Sequence, residues 1–468
     1  NLHTFLGYRK AGKMKKNDII ELDITGMTHE GLGVGRRNGM AVFVQGAILG
    51  EKVYARIIKV QKNYAVARAE GWLNKSQHRQ EPFCPVYKWC GGCSLQHMSY
   101  QMQLEFKHGV VKDALAHIGG FKDITVNPVI EMDNPMHYRN KAQYPVGIGK
   151  DSKQVSGFYS NRSHEIIDCE SCAIQDEISL KIRNSIIETI CEAGIPAYDE
   201  TTGEGILRQI MTRTASAGIM VVLVVKTKKI PGLKALIQNI STGFPEVISI
   251  ILNINNRKDN VILGEKNITV YGQDTIADKL GQYVFHISPL SFYQVNPEQT
   301  VTLYEKVLEY AALTGNETVF DLYCGIGTIS LFFAEKAKRV IGVESVKEAV
   351  DMAEKNKLIN NISNIEFYQG KAEDIAAVLY QKGIKADVAV VDPPRKGCDR
   401  KLLETMVGMQ PGRIIYVSCN PSTLARDLKY LNENEYCIEE VQPVDMFPWT
   451  HHVETVVLMC ASSEAGKC

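Results

Sequence analysis

The segment YVSCNPSTLARDL, Tyr416–Leu428, puts Cys419 at the mouth of a buried strand, Arg413–Val417, just before a polar helix. A thiol held on a rigid strand end and aimed into a crevice can be a nucleophile, a metal ligand or packing. No Cys or His stands beside it to complete a metal site. VVDPPRKG ends another strand in Asp392, where Pro393 and Pro394, lacking N–H groups, stop the strand and stiffen the turn. VFDLYCGIGTISL reads as strand, glycine turn and helix; Gly325 and Gly327 let the backbone approach a ligand at a helix N-terminus. The following strand, VIGVES, ends in Glu344, about 20 residues on, where a carboxylate can accept hydrogen bonds from both ribose hydroxyls. The third glycine of a dinucleotide fingerprint is missing, which favours S-adenosylmethionine (SAM), a ligand with no pyrophosphate to cradle, over NAD or FAD.

A strand-end thiolate beside a sulfonium methyl donor suits methylation of a weak carbon nucleophile, and uracil C5 is one. Attack of the thiolate on C6 gives an enolate, C5 takes the methyl, a base removes the C5 proton, and the thiolate is eliminated. Glu454, at the start of the strand after DMFPWTHH, is the candidate base, with His451 and His452 as runners-up. Amino-methyltransferases carry an aromatic after a related Asn/Asp-Pro-Pro turn; Arg395 stands there instead, which argues against N-methylation.

These strand ends need a parallel sheet behind them. From residue 288 onward strands and helices alternate, which means an α/β, doubly wound domain. Residues 74–287 are strand-rich, with helices over Gln96–Ile118 and Asp176–Ala193, and read as a mostly antiparallel α+β central domain. Residues 14–73 alternate apolar and polar residues in short strands between glycine turns, the pattern of a small OB-like β-barrel. Residues 1–80 carry 14 Lys and Arg against 6 Asp and Glu on a chain of zero net charge, a basic end suited to a polyanion. Among 468 residues no apolar run approaches a membrane span, and no secretory signal is read at the start. Residues 1–13 are expected to lie outside the fold, and ASSEAGKC to be a frayed tail. Twelve cysteines without such a signal suggest a reducing, cytoplasmic setting and thiols rather than disulfides.

CPVYKWCGGC supplies Cys84, Cys90 and Cys93, with Gly91 and Gly92 permitting a tight turn, and IIDCESC offers Cys169 or Cys172 as a fourth ligand. Four thiolates suit zinc or a [4Fe–4S] cluster. YRNK, Tyr138–Lys141, places Arg139 and Lys141 either on RNA phosphates or in a plain turn at a strand start.

SFYQVNPEQ, DLYCGIGTISL, DPPRKG, SCNP and FPWTHHVE, in this order over 288–460, resemble the RNA (uracil-5-)-methyltransferase family. EGLGVGR and GAILGEKV are similar to the TRAM domain, an RNA-binding barrel. The resemblance implies Cys419 as nucleophile, Glu454 as base, and Gln294, Tyr323, Glu344 and Asp392 as SAM contacts. It also implies Phe292 as an aromatic that stacks on a flipped base. DNA cytosine-5 enzymes carry their nucleophile in a Pro-Cys motif, whereas Cys398 here is displaced from the DPP turn, which supports uracil. The family's ribosomal branch carries an iron–sulfur cluster with this cysteine spacing and implies Cys172 as fourth ligand, although Ala173 departs from the family's proline and keeps Cys169 in view. Barrel and cluster together imply 23S rRNA or a pre-ribosomal intermediate over tRNA; a monomer is expected. A non-catalytic RNA-binding assembly factor is the rival from another class.

Overall fold

The computed structural model describes residues 13–149, 151, 153–161 and 163–462, so the expectations for residues 1–12 and for the last six residues lie outside it. Strands β1 (Ile19–Asp23), β2 (Gly26–Met27), β3 (Gly33–Arg37), β4 (Met40–Gln45), β5 (Lys52–Val60) and β6 (Tyr64–Asn74) form one sheet in the order β1-β5-β6-β4-β3-β2. Its two edge strands are one run of chain: β1 pairs with β5, and two residues later β2 pairs with β3. The sheet therefore closes on itself as a barrel, around Leu22, Val42, Val44, Val53 and Ala67. The apolar alternation is what makes this possible, since period 2 sends one set of side chains inward.

Helix α1 (Tyr100–Ala114) follows, capped by the Ser99 side chain and continued by a π-helical turn over residues 115–119. Next come β7 (Lys141–Ile148), β8 (Gln154–Ser156), β9 (Phe158–Tyr159), β10 (Ile166–Ile167) and α2 (Glu177–Glu192). They are followed by β11 (Leu207–Ala215), β12 (Gly218–Val225), α3 (Leu233–Gly243), β13 (Val247–Ile254) and β14 (Lys266–Gly272). The central sheet runs β14-β13-β12-β11-β7-β8, antiparallel except where β12 and β13 pair. A hairpin of β15 (Ile276–Leu280) and β16 (Tyr283–Ile287) leads out of it.

The rest is the doubly wound unit: α4 (Pro297–Ala311), β17 (Thr318–Leu322), α5 (Thr328–Ala334), β18 (Arg339–Glu344), α6 (Lys347–Ile359), β19 (Ile365–Gln369), α7 (Ala372–Gln381) and β20 (Val388–Val391). Then α8 (Arg400–Met409), β21 (Arg413–Ser418), α9 (Pro421–Asn432), β22 (Tyr436–Val444) and β23 (Glu454–Ala461) complete it. Its sheet is ordered β19-β18-β17-β20-β21-β23-β22, parallel as far as β21, with β23 running antiparallel beside it. Val388–Val391 is buried throughout, as a strand covered on both faces must be. One apolar cluster joins Met211, Met220 and Ile251 of the central sheet to Val319, Val340 and Ile415 of the parallel sheet, so the two sheets hold each other in place. A second packs Val111 and Leu115 of the first helical segment with Leu424 and Leu428 of α9.

No helix among the described residues is long and apolar enough to cross a membrane. Ten cysteines among the described residues are free thiols.

Candidate functional site

The Asn-Pro pair after Cys419 has a local job. Asn420 caps α9, its side chain accepting from the Ser422 N–H, and Pro421 opens the helix where no N–H is needed. Asn296 and Pro297 repeat the device at α4, where Asn296 accepts from Gln299 N–H at 3.2 Å. Strand β21 is thereby cut off sharply, and Cys419 stands half-buried at its carboxyl end.

The antiparallel strand explains how Glu454 reaches it. Parallel strands deliver their carboxyl ends to one edge; β23, running the other way, delivers its first residue there. In register, Ser418 lies opposite Thr455, so Cys419 and Glu454 are neighbours across the two strands. Asp392, one residue past β20, opens on the same edge.

These groups line one cavity of about 930 Å³. Its wall includes Gln294, Tyr323, Gly325, Glu344, Asp392, Cys419 and Glu454, and the ring of Phe292, which is 72% exposed. Two histidines part company: His452 is on the wall, while His451 turns to Ser94, Nδ1 standing 3.2 Å from its Oγ. Gly327 is not on the wall. It caps α5 at φ +83° and packs against Phe367, where a Cβ would come within 2.9 Å of the ring. Gly325 does open on the cavity, and its N–H donates to Glu344 Oε2 at 3.2 Å. The other oxygen of Glu344 accepts from the Val346 N–H at 2.8 Å, which fixes the carboxylate at the strand end. Tyr323 holds φ +80°, a conformation costly for a bulky residue by roughly 1–3 kcal/mol and met mostly at functional sites.

The electrostatics set three acids against one cation. Burial pushes Asp392 up to about 7, with Asp321 adding to it. Burial, then Asp392, pushes Glu454 well above the usual carboxylate range, while Arg395 opposes. Burial, then Glu454 and Asp392, raises the Cys419 thiol to about 11, and Arg395 again lowers it. A carboxylate in this state is a stronger proton acceptor than usual. His452 goes the other way: burial, then His451 and Arg395, pushes it down to about 3, which makes its imidazole a weak base.

Sequence reading passed over the support of this wall. Lys107 of α1 is fully buried with Asp445, Nζ to Oδ1 at 2.5 Å, and it also donates to the Phe447 carbonyl. This pins the segment between β22 and β23 that carries Phe447, Thr450 and His452 to the cavity. A signal was present: Lys107 falls three residues after Leu104 and four before Val111, on the helix's apolar face. Lys107→Met leaves Asp445 buried and unpaired and is expected to cost about 3–5 kcal/mol of stability. Urea unfolding checks this; a loss below about 1 kcal/mol would mean the segment is held by other contacts.

A second cavity, of about 310 Å³, is lined by Cys84, Cys90, Cys93, Cys169 and Cys172. Gly91 donates to the Tyr159 carbonyl at 2.9 Å and cannot bear a Cβ without crowding that oxygen, which seats the Cys90–Cys93 turn. Burial raises Cys93 to about 12, with Cys172, Cys90 and Cys84 adding to it; Cys169 is also raised to about 12, by burial first. Among the described residues, no group of three or more His, Cys, Asp or Glu side chains is set to hold a metal ion. Arg139 lines both cavities, its Nε buried without a hydrogen-bond partner. Lys141 belongs to the cysteine cavity rather than to an exposed phosphate-binding face; burial first, then Arg213 and Arg139, lowers it to about 8.

Residues 99–462 match the family model described as tRNA (Uracil-5-)-methyltransferase, and residues 13–69 match the TRAM domain. A Clostridium tetani chain named as an uncharacterized RNA methyltransferase is 52% identical over 461 residues, 98% of this chain and 100% of that one. A Bacillus cereus chain of the same name is 49% identical over 449 residues, 95% of this chain and 97% of that one. The crystal structure of Pyrococcus abyssi tRNA (uracil-54, C5)-methyltransferase in complex with S-adenosyl-L-homocysteine aligns at TM-score 0.76 and 30% identity, over 94% of this chain and 99% of that one.

Proposed function

The chain belongs to the tRNA (uracil-5-)-methyltransferase family, and from that premise we propose that it methylates C5 of a uridine in 23S rRNA through a covalent Cys419 adduct. The observation that carries the chemistry is the register that sets Cys419 beside Glu454 in one cavity. SAM supplies an electrophilic methyl on a sulfonium. Gln294, Tyr323, Gly325, Glu344 and Asp392, all on the cavity wall, would hold it. Phe292, exposed at the wall, stacks on the uracil once it is turned out of the RNA. Cys419 loses its proton to solvent and its Sγ attacks C6 to give the enolate; burial, Glu454 and Asp392 oppose the thiolate and Arg395 favours it. After methylation at C5, Glu454 takes the C5 proton, the C5–C6 double bond re-forms, and the C6–Sγ bond breaks. The three parts act as a TRAM barrel over 14–73, a central domain over 74–287 and a catalytic domain over 288–468, in a cytoplasmic monomer. Arg36, Lys59, Lys62 and Arg68 are exposed on the barrel and suit phosphate contacts.

The cysteine cavity fits an iron–sulfur site by its donor set: its wall offers thiols but no carboxylate or imidazole. Cys84, Cys90, Cys93 and Cys172 would hold a [4Fe–4S] cluster, since Cys93 feels the other three as its thiol neighbours. Cys169 remains on the wall, its carbonyl taken by Arg183. The cluster would serve structure, because methyl transfer exchanges no electrons.

A second reading, tRNA as substrate, is favoured by the Pyrococcus abyssi neighbour, which acts on tRNA and matches nearly the whole chain. One assay separates the two. The protein is purified anaerobically and given methyl-labelled SAM with unmodified rRNA and tRNA transcripts, and 5-methyluridine is mapped. Label in rRNA alone supports the first reading, and label in tRNA alone supports the second. SAM binding without label in either supports the assembly-factor rival, with an assembled ribosomal intermediate as the substrate to test next.

A further inference from the structure

The cysteine cavity has a charge problem that its own side chains do not solve. Arg139, two residues before β7, and Lys141 and Gln143 at its start alternate along the chain and all three line the cavity. Arg213 on β11 lies directly opposite Lys141 in register and is 1% exposed. Like charges set opposite each other in a sheet repel. Arg213 spends one nitrogen on the Ser291 carbonyl at 2.9 Å, its Nε and Nη1 have no hydrogen-bond partner, and the acid that acts on it is Asp278, away from the cavity wall. Neither Arg139 nor Lys141 forms an ion pair among the described residues, and no carboxylate lines the cavity. Half-buried cations without a counter-ion are expensive, and truncation to neutral side chains would relieve them. An anionic occupant resolves the imbalance, and thiolates around a metal group carry net negative charge.

We propose that Lys141, seconded by Arg139, is the built-in counter-charge of the thiolate-bound group in this cavity and sets how readily that group accepts an electron. The inference rests on reading the cavity as an iron–sulfur site. One-electron reduction would add one negative charge to the group, and a fixed positive charge on the cavity wall favours it; removing that charge disfavours it.

The test uses the full-length protein, purified anaerobically, with iron and acid-labile sulfide measured first. Its reduction midpoint is then found by dithionite titration followed by electron paramagnetic resonance, for the wild type, Lys141→Met and Lys141→Arg. Lys141→Met is expected to lower the reduction equilibrium constant about tenfold, a midpoint about 59 mV more negative for one electron. It should also lose iron faster to a chelator, while Lys141→Arg keeps both properties near wild type. An unchanged midpoint and iron-loss rate in a loaded Lys141→Met protein overturns the counter-charge role and leaves the cluster reading standing. If Lys141→Met fails to load, Lys141→Arg decides: loading by the arginine variant supports the role of charge, and equal failure overturns it. A wild-type protein holding neither iron nor sulfide, or zinc alone, overturns the cluster reading and this inference together.

Discussion

Cys419→Ala is expected to abolish methyl transfer, lowering the rate by at least about 10⁴-fold, the scale on which loss of a nucleophile is felt. That corresponds to about 5 kcal/mol of barrier. Without a bond at C6 no enolate forms, and C5 of uracil has too little electron density to take the methyl. The change removes one sulfur from a half-buried strand end, so the fold and the cofactor contacts on β17, β18 and β20 should be untouched. Filter binding with labelled SAM and a thermal melt should therefore match wild type, while incorporation of label into RNA vanishes. Residual incorporation within tenfold of wild type would sink the covalent mechanism and point to direct attack by another route.

Glu454→Gln should fail at the opposite end of the reaction. The amide nearly preserves shape but cannot take the C5 proton, so the methylated adduct forms and stays. Denaturing gels should show a slow band carrying both protein and RNA, labelled from the methyl of SAM, while turnover falls about 10²–10⁴-fold. The wild type should drift toward the same state in acid. Burial and Asp392 raise the Glu454 pKa, so the base is lost as pH falls through that raised value, higher than for an exposed glutamate. More trapped adduct at low pH is the expected trend. Free 5-methyluridine released at the wild-type rate by Glu454→Gln would place the base elsewhere on the wall, although His452, pushed down to about 3, is poorly suited.

Much of this site could be read from sequence because its groups sit at strand ends, where local pattern and chemistry coincide. Cys419, Asp392 and Glu344 each close a short apolar run, and a parallel sheet gathers such ends on one edge. What could not be read depends on long-range pairing. That β23 runs antiparallel next to β21, and in the register that sets Thr455 opposite Ser418, follows from the assembled sheet. The Lys107–Asp445 pair joins residues 338 apart, and only an out-of-place charge on an apolar helix face hinted at it. Gly327 stands off the main cavity wall against the Phe367 ring, and the pleat of β7 turns Lys141 to the cysteine cavity; neither placement follows from a local motif.

The place of β23 in the sheet also bears on synthesis. It is the last strand described, yet it lies between β21 and β22, both made before it. A ribosome-bound chain that has emerged only through β22 lacks the strand that carries Glu454 and that joins β22 to the sheet. Insertion of β23 between β21 and β22 therefore brings Glu454 to the cavity and joins β22 to the sheet in one move.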